Sequence, residues 1–203
     1  MSDAFSLSLW YSQLRMASLE DKLVAILRQF GEHGGERGVF SATVWPINWR
    51  EAAAFQETYG LGEHGCQIEI AVASALELLH TDYAYEFQIG WTLWEAEVGG
   101  GLHPEWVRTP RLVRVIAFGP EFDDGAYNQE GHIRIDFGTD APFLQEEVEL
   151  DPRAIRCIEE NVRQLIDLTN AIESESEPAA RLLWSELGET LAARLVARLN
   201  RLQ

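Results

Sequence analysis

The chain of 203 residues carries a formal net charge of −17, with 46% hydrophobic and 24% charged residues. These proportions exclude a disordered chain and allow one sizeable core. Acids outnumber bases in both halves of the chain, which argues against binding to nucleic acid or anionic lipid, because a phosphate backbone needs a basic face. No apolar stretch approaches the roughly 20 residues that span a bilayer, and the first residues do not resemble a secretory signal. We therefore expect a cytoplasmic protein that binds neither membrane nor nucleic acid.

The first third of the sequence predicts two strands and two helices. Residues 5–11 alternate apolar and small polar side chains, which indicates a half-buried strand. A helix follows behind Ser18, with one apolar stripe formed by Leu19, Leu23, Ile26, Leu27 and Phe30. Residues 39–45 predict a second strand that ends at Pro46, and residues 49–59 predict a short helix.

The middle of the chain carries the strongest β signals. Ile68, Ile70 and Val72 alternate with smaller or polar residues, which predicts a strand that runs on to Leu78, although residues 71–79 also fit a helix. Residues 83–93 are apolar at every second position, so the two runs predict an antiparallel hairpin. Residues 111–118 are apolar on both faces, which indicates a strand covered on both sides, and residues 133–137 alternate again.

The C-terminal third predicts two helices. Asp151 and Pro152 form a capping pair ahead of an apolar stripe that continues to Ile172, and a second helix is predicted from Pro178. Strands first and helices last predict a single α+β domain over residues 1–203. We expect a mostly antiparallel sheet of about six strands within residues 1–140, helices mainly on one face, and the helical pair of residues 151–203 packed on it.

The five histidines are the first candidates for ligand chemistry. All of them fall at predicted loops or strand ends, and none shows the HxH, HxxxH or HExxH spacing that presents two imidazoles to one metal ion. A site can still assemble in three dimensions from groups on neighbouring loops. We predict a ligand-binding set of His80, Asp82, His103, Glu105, Trp106, His132 and Asp136, with no catalytic residue, metal ligand or cofactor assigned.

A second candidate is the polar face of the predicted sheet. Its members share alternate positions on the strands: Glu69, Glu77, Glu86, Gln88, Arg114, Arg134 and Asp136. Opposite charges on neighbouring strands commonly form cross-strand pairs. A concave, uncovered face of this composition would instead hold a polar ligand, and the sequence leaves both interpretations open.

The other motifs indicate no chemistry. The acidic segment 121–130 lacks the alternating ligand spacing of a calcium loop, and the glycines at 99–101 lack the residues of a phosphate loop. There is no GxSxG elbow, and Cys66 and Cys157 lie far apart without a CxxC motif, which predicts two reduced thiols.

These patterns favour a non-enzymatic protein. Only one of the basic residues, Lys22, is a lysine, a bias that indicates a GC-rich bacterial genome. We expect an acidic protein-interaction or self-associating module, immunity-like or chaperone-like, whose partner is another protein, in particular a basic one, or a second copy as a homodimer. The alternative is an enzyme or small-ligand-binding protein that uses the loop histidines and acids.

Overall fold

The computed structural model describes residues 3–60, 64–97, 104–146, 150–185 and 191–200. Within these ranges the chain forms the strands β1 (Ala4–Trp10), β2 (Gly35–Pro46), β3 (Phe55–Thr58), β4 (Cys66–Gln67), β5 (Tyr83–Glu97), β6 (Glu105–Phe118), β7 (Ile133–Thr139) and β8 (Ala180–Ser185). The helices are α1 (Leu19–Glu32), α2 (Ile68–Leu76), α3 (Ala126–Gln129), α4 (Ala141–Leu144), α5 (Pro152–Ser176) and α6 (Leu191–Asn200). None of these described helices is long and apolar enough to cross a membrane.

All of these strands belong to one antiparallel sheet. The order is β3-β2-β5-β6-β7-β1-β8, and β4 pairs with β2 beside this path. The long central strands β5 and β6 pair from Ala84 opposite Phe118 to Glu97 opposite Glu105 without a register shift. The predicted α+β class is confirmed, with an 8-stranded sheet in place of about six strands.

The main core lies between one face of this sheet and the helices α1, α2 and α5. Since successive strand residues point to opposite faces, each strand contributes every second side chain to it. Typical members are Leu7, Phe87, Val115 and Ile135 from the sheet, with Leu23, Val72 and Leu165 from the helices. The side chain of Asp151 caps α5, as its spacing predicts, by accepting hydrogen bonds from Arg153 N and Ala154 N at 2.8 and 2.7 Å.

One covered part of the second face of the sheet lies where β5 begins, next to the C-terminal end of β6. There Ile116 and Phe118 pack with Phe122 and Ala126 from the connection between β6 and β7, and Trp49 packs against this group. This cover explains why residues 111–118 carry apolar side chains on both faces. Further along the same face Leu112 is exposed, so the cover does not extend over the whole sheet.

Two predicted elements in the first half of the chain are wrong. Residues 49–59 do not form a helix, because Phe55–Thr58 is the edge strand β3. Residues 68–78 are not a strand: Ile68–Leu76 forms α2, in agreement with the helical alternative for residues 71–79. The buried residues Ile68, Ala71, Val72 and Ala75 follow helical spacing, and Ile70, which suggested the alternation, is exposed. β5 therefore pairs with β2 and β6 instead of forming the predicted hairpin with this segment.

The C-terminal region also differs from a single helix starting at Pro178. Ala180–Ser185 forms β8, which pairs antiparallel with β1, and a helix begins only at Leu191. Leucines at 182 and 183 fit a strand as well as a helix, and the free edge of β1 supplies the hydrogen-bond partners that decide for the strand. The two C-terminal helices are thus α5 and α6.

Candidate functional site

The uncovered part of the second face forms a groove. It has a volume of about 350 Å³, within the range of ligand sites. We call it the open-face groove and define it by the side chains of Ser6, Gln88, Leu112, Arg114, Asp136 and Trp184. These residues come from five different strands, so the groove exists only when the sheet is assembled.

The strand register places the polar members of the groove in one row. Gln88 of β5 lies opposite Arg114 of β6, and Arg114 lies opposite Asp136 of β7. Asp136 in turn lies opposite Ser6 of β1, and Ser6 lies opposite Trp184 of β8. Residues directly opposite each other on neighbouring strands are close enough for their side chains to interact. The period of two along each strand therefore brings all five side chains to the same face.

Asp136 is the centre of the hydrogen-bond network in this row. Ser6 Oγ donates to its Oδ1 at 2.7 Å, while Arg114 Nη2 and Arg134 Nη2 donate to its Oδ2 at 2.9 and 3.0 Å. Arg134 Nε also lies 2.8 Å from Asp136 Oδ1. Both carboxylate oxygens are thus occupied, which makes Asp136 a fixed acceptor that orients two guanidinium groups.

The two arginines differ in their exposure and in the number of carboxylates with which they pair. The side chain of Arg134 is 15% exposed, forms ion pairs with both Asp136 and Glu130, and lies 5.6 Å over the ring of Phe118. The side chain of Arg114 is 49% exposed, and among the described residues it has a single hydrogen bond, to Asp136. A guanidinium carries five N–H donors, so most donors of Arg114 have no acceptor among the described residues. Arg114 is therefore the group of this network that remains able to bind a ligand.

The neighbouring side chains are held in place by other hydrogen bonds. The buried carboxylate of Glu86 accepts from Gln88 Nε2 at 3.1 Å and from Trp45 Nε1 at 3.3 Å. On the other side of the groove, Trp184 Nε1 donates to Ser8 Oγ at 2.9 Å. The indole of Trp184 and the exposed Leu112 add apolar surface to the groove. The groove thus combines the exposed guanidinium of Arg114 with the apolar surfaces of Leu112 and Trp184.

The charge of the groove differs from that of the protein as a whole. Its lining contains Arg114 and Arg134 but only one acid, Asp136, while the chain has a net charge of −17. Glu86 and Glu130 lie nearby, and each already accepts hydrogen bonds from the sheet. The lining itself therefore carries one more positive than negative charge, although the molecule as a whole is acidic.

Three predicted ligand residues lie at the end of the sheet where β5 and β7 begin. His80 is exposed, and its ring packs 4.7 Å from that of Tyr83. The backbone carbonyl of Asp82 accepts a hydrogen bond from Ile47 N at 2.7 Å. His132 is half-buried between elements: its Nδ1 accepts from Tyr11 N at 3.1 Å, and its ring stacks on Tyr127 at 3.8 Å. Burial lowers the pKa of His132.

The remaining predicted residues lie elsewhere. Glu105 begins β6 opposite Glu97, at the far end of the long β5–β6 pair, and is exposed. Trp106 is buried in a second small cluster with Leu150 and Ala154. His103 lies outside the described residues. Of the six predicted residues that the structure describes, only Asp136 lines the open-face groove, and the structure does not bring these six together.

The part of the chain that the structure describes contains neither a metal site nor a reactive thiol. No group of three or more His, Cys, Asp or Glu residues in these ranges is arranged to hold a metal ion. Cys66 and Cys157 are free thiols, and burial raises the pKa of both. A raised thiol pKa leaves little of the reactive thiolate at neutral pH.

The fold and the groove together define an α+β protein with a polar groove on the open face of an antiparallel sheet. No protein-family model, curated protein or solved structure shows significant similarity to the chain.

Proposed function

We propose that this protein is a non-enzymatic interaction protein that engages another protein through the open-face groove. The observation that carries the proposal is the exposed guanidinium of Arg114, which Asp136 holds in position in a groove that also contains the apolar surface of Leu112 and Trp184. Arginine and tryptophan are two of the residue types that dominate the energetics of protein interfaces, and the groove contains one of each. The fixed ion pairs around Asp136 support binding over catalysis, because a general base needs a carboxylate that is free to accept a proton.

The surface beside the groove supports a partner larger than a small molecule. β8 borders the groove, and its Leu182, opposite Ser8 on the same face of the sheet, is 53% exposed. Apolar side chains next to a polar, hydrogen-bonded patch resemble the mixed composition of protein–protein interfaces. A partner segment lying across β7, β1 and β8 would cover both Trp184 and Leu182.

The overall charge supports a basic partner. A net charge of −17 attracts a basic protein over long distances and accelerates association, as in immunity-like or chaperone-like complexes. The free thiols of Cys66 and Cys157 support a reducing compartment such as the cytoplasm. Association should then slow markedly between low and high salt, and a salt-independent association rate would contradict this part of the proposal.

The experiment compares two matched substitutions of exposed aliphatic residues. Leu112→Arg places a long charged side chain in the groove, whereas Ile70→Arg places the same side chain on α2, outside it. Proteins captured from a lysate by the wild type are identified, purified and titrated against all three forms. We expect Leu112→Arg to weaken binding by roughly tenfold or more while Ile70→Arg binds as the wild type does. Equal binding by Leu112→Arg and the wild type would refute the groove as the interface.

Self-association through β8 is a second candidate. β8 is the outermost described strand on its side of the sheet, and its adjacent leucines at 182 and 183 are both exposed on opposite faces. An unpaired strand edge is a template for pairing, and antiparallel pairing with β8 of a second copy closes a twofold dimer. Sedimentation at increasing concentration tests this. A dimer that dissociates in the Leu182→Lys variant supports the candidate, and a monomer at all concentrations refutes it.

A further inference from the structure

The groove's hydrogen-bond donors point to the chemistry of what it binds. We propose that the open-face groove receives a carboxylate attached to an apolar or aromatic body, with the carboxylate bound by Arg114. This inference rests on the proposed binding role of the groove and adds the class of ligand group that the groove selects.

Arg114 has the donors that such a group needs. One of its N–H groups donates to Asp136 Oδ2 at 2.9 Å, and its side chain is 49% exposed. The remaining N–H groups are without acceptors among the described residues, and a guanidinium presents them as a planar fork that matches the two oxygens of a carboxylate. Arg134 cannot play this role, because Glu130 and Asp136 already occupy its guanidinium.

The position of Arg114 is set before any ligand arrives. The side chain of Asp136 is only 12% exposed and is itself fixed by Ser6 and Arg134. Holding Arg114 by one edge reduces the conformational entropy that binding would otherwise cost. Removing Asp136 would leave a mobile arginine, so Asp136 acts as a positioning residue for the proposed contact.

The charges and the apolar walls of the groove further restrict the kind of ligand that it can bind. A cationic group would be repelled by Arg114 and Arg134, because the lining offers only one acid, Asp136, and that acid already pairs with both arginines. A doubly charged phosphate is repelled more strongly than a singly charged carboxylate by a molecule of net charge −17. Leu112 and Trp184 offer apolar contact to the rest of the ligand. A carboxylate near an aromatic side chain, as at the terminus of a peptide, fits all three features.

The test uses two probes that differ in one group. N-acetyl-tryptophan carries a carboxylate, N-acetyl-tryptophanamide is its neutral equivalent, and inorganic phosphate serves as the competing anion. Each is titrated into isotope-labelled protein, and the indole N–H signal of Trp184 and the guanidinium N–H signals of Arg114 are followed by NMR. We expect saturable shifts of both signals with the acid, and no saturation with the amide or with phosphate.

Three variants connect the binding to Arg114. Arg114→Gln should weaken binding of the acid by roughly tenfold or more, and Arg114→Lys, which keeps the charge but not the fork, should weaken it by less. Arg28→Gln is the matched control, because Arg28 is also exposed and also pairs with a single carboxylate, that of Glu69 on α2. Far-ultraviolet circular dichroism of each variant verifies that the sheet is intact.

The remaining outcomes overturn the inference. Equal binding of the acid and the amide in the groove would show that the carboxylate is not selected, and it would leave the groove intact as a binding surface. Tighter binding of phosphate, unchanged affinity in Arg114→Gln, or no saturable shift with any probe would each refute recognition of a carboxylate by Arg114. Failure of the proposed interaction role is a separate result, because the Leu112→Arg comparison with the protein partner measures it.

Discussion

Replacement of Asp136 by alanine tests the network that builds the groove. The substitution removes the acceptor of three side-chain donors, from Ser6, Arg114 and Arg134. Arg134 keeps its ion pair with Glu130, and Arg114 is half exposed, so water compensates part of the loss for both. The hydroxyl of Ser6 is buried and loses its acceptor.

The expected loss of stability follows from these differences. Breaking a fully buried ion pair costs about 3–5 kcal/mol, and an unpaired buried polar group costs about 1–3 kcal/mol. With Arg134 still paired and Arg114 solvated, we expect Asp136→Ala to lower the free energy of unfolding by roughly 2–4 kcal/mol. At a urea dependence of about 2 kcal/mol/M, the unfolding midpoint falls by about 1–2 M.

Urea unfolding followed by circular dichroism measures this change. Asp167→Ala is the control, because Asp167 is exposed on α5 and forms no interaction among the described residues, and it should change stability by less than about 0.5 kcal/mol. The loss in Asp136→Ala should persist in high salt, since partly buried pairs are screened weakly. A loss equal to that of the control would refute the description of Asp136 as the centre of the network.

Three further outcomes are expected from substitutions outside the groove, each measured by urea unfolding. Burial lowers the pKa of His132 below its ordinary value of 6.5, so the imidazole binds a proton more readily in the unfolded chain than in the folded protein. The stability that neutral His132 contributes is therefore fully present above pH 6.5 and is lost as the pH falls below 6.5. His132→Gln should accordingly lose less stability between pH 7.5 and 5.5 than the wild type does. On α2, Ile68→Ala should cost about 2–5 kcal/mol and Ile70→Ala less than about 0.5 kcal/mol, because only Ile68 is buried; equal losses would contradict the helix. Asn161 is buried and bonds Trp94 N at 2.8 Å and Trp94 O at 2.8 Å, so Asn161→Ala should cost about 2–4 kcal/mol, and a neutral result would show that these groups find other partners.

Regular alternation predicted the central strands because each has one face in the main core. Residues 83–93 and 133–137 place every second side chain there, and β5 and β7 include them. Trp91 and Trp94 fall on opposite faces of β5, because they are three residues apart and the pairing of β5 with β6 has no bulge.

The wrong secondary-structure predictions arose where the apolar residues fit both the two-residue period of a strand and the 3.6-residue period of a helix. Ile68 and Val72 are four residues apart, which satisfies both a strand and a helix, and the small buried Ala71 and Ala75 carried the helical signal. The segment around Leu182 has the same ambiguity, and its structure is decided by the edge of β1, which is more than 170 residues away in sequence. Local propensity cannot register such a partner.

The candidate site was partly within reach of the sequence. Gln88, Arg114, Arg134 and Asp136 were all assigned to the polar sheet face, and the register places them together. The sequence could not show that Arg134 pairs with two carboxylates while Arg114 pairs with one. The difference arises because Glu130, in the connection before β7, pairs with Arg134. Trp184 was assigned to a helix, so its place in the groove could not be predicted.

The pairing of β1 with β8 has a consequence for biosynthesis. Phe5 lies opposite Ser185, so β1 leaves the ribosome long before the strand that covers its edge has been translated. Contacts between such distant segments form late and slow folding, and an uncovered strand edge promotes aggregation in the meantime. A nascent chain arrested after α5 would therefore hold β1 with one edge bare, and the groove would lack its Trp184 wall until the final stretch emerged.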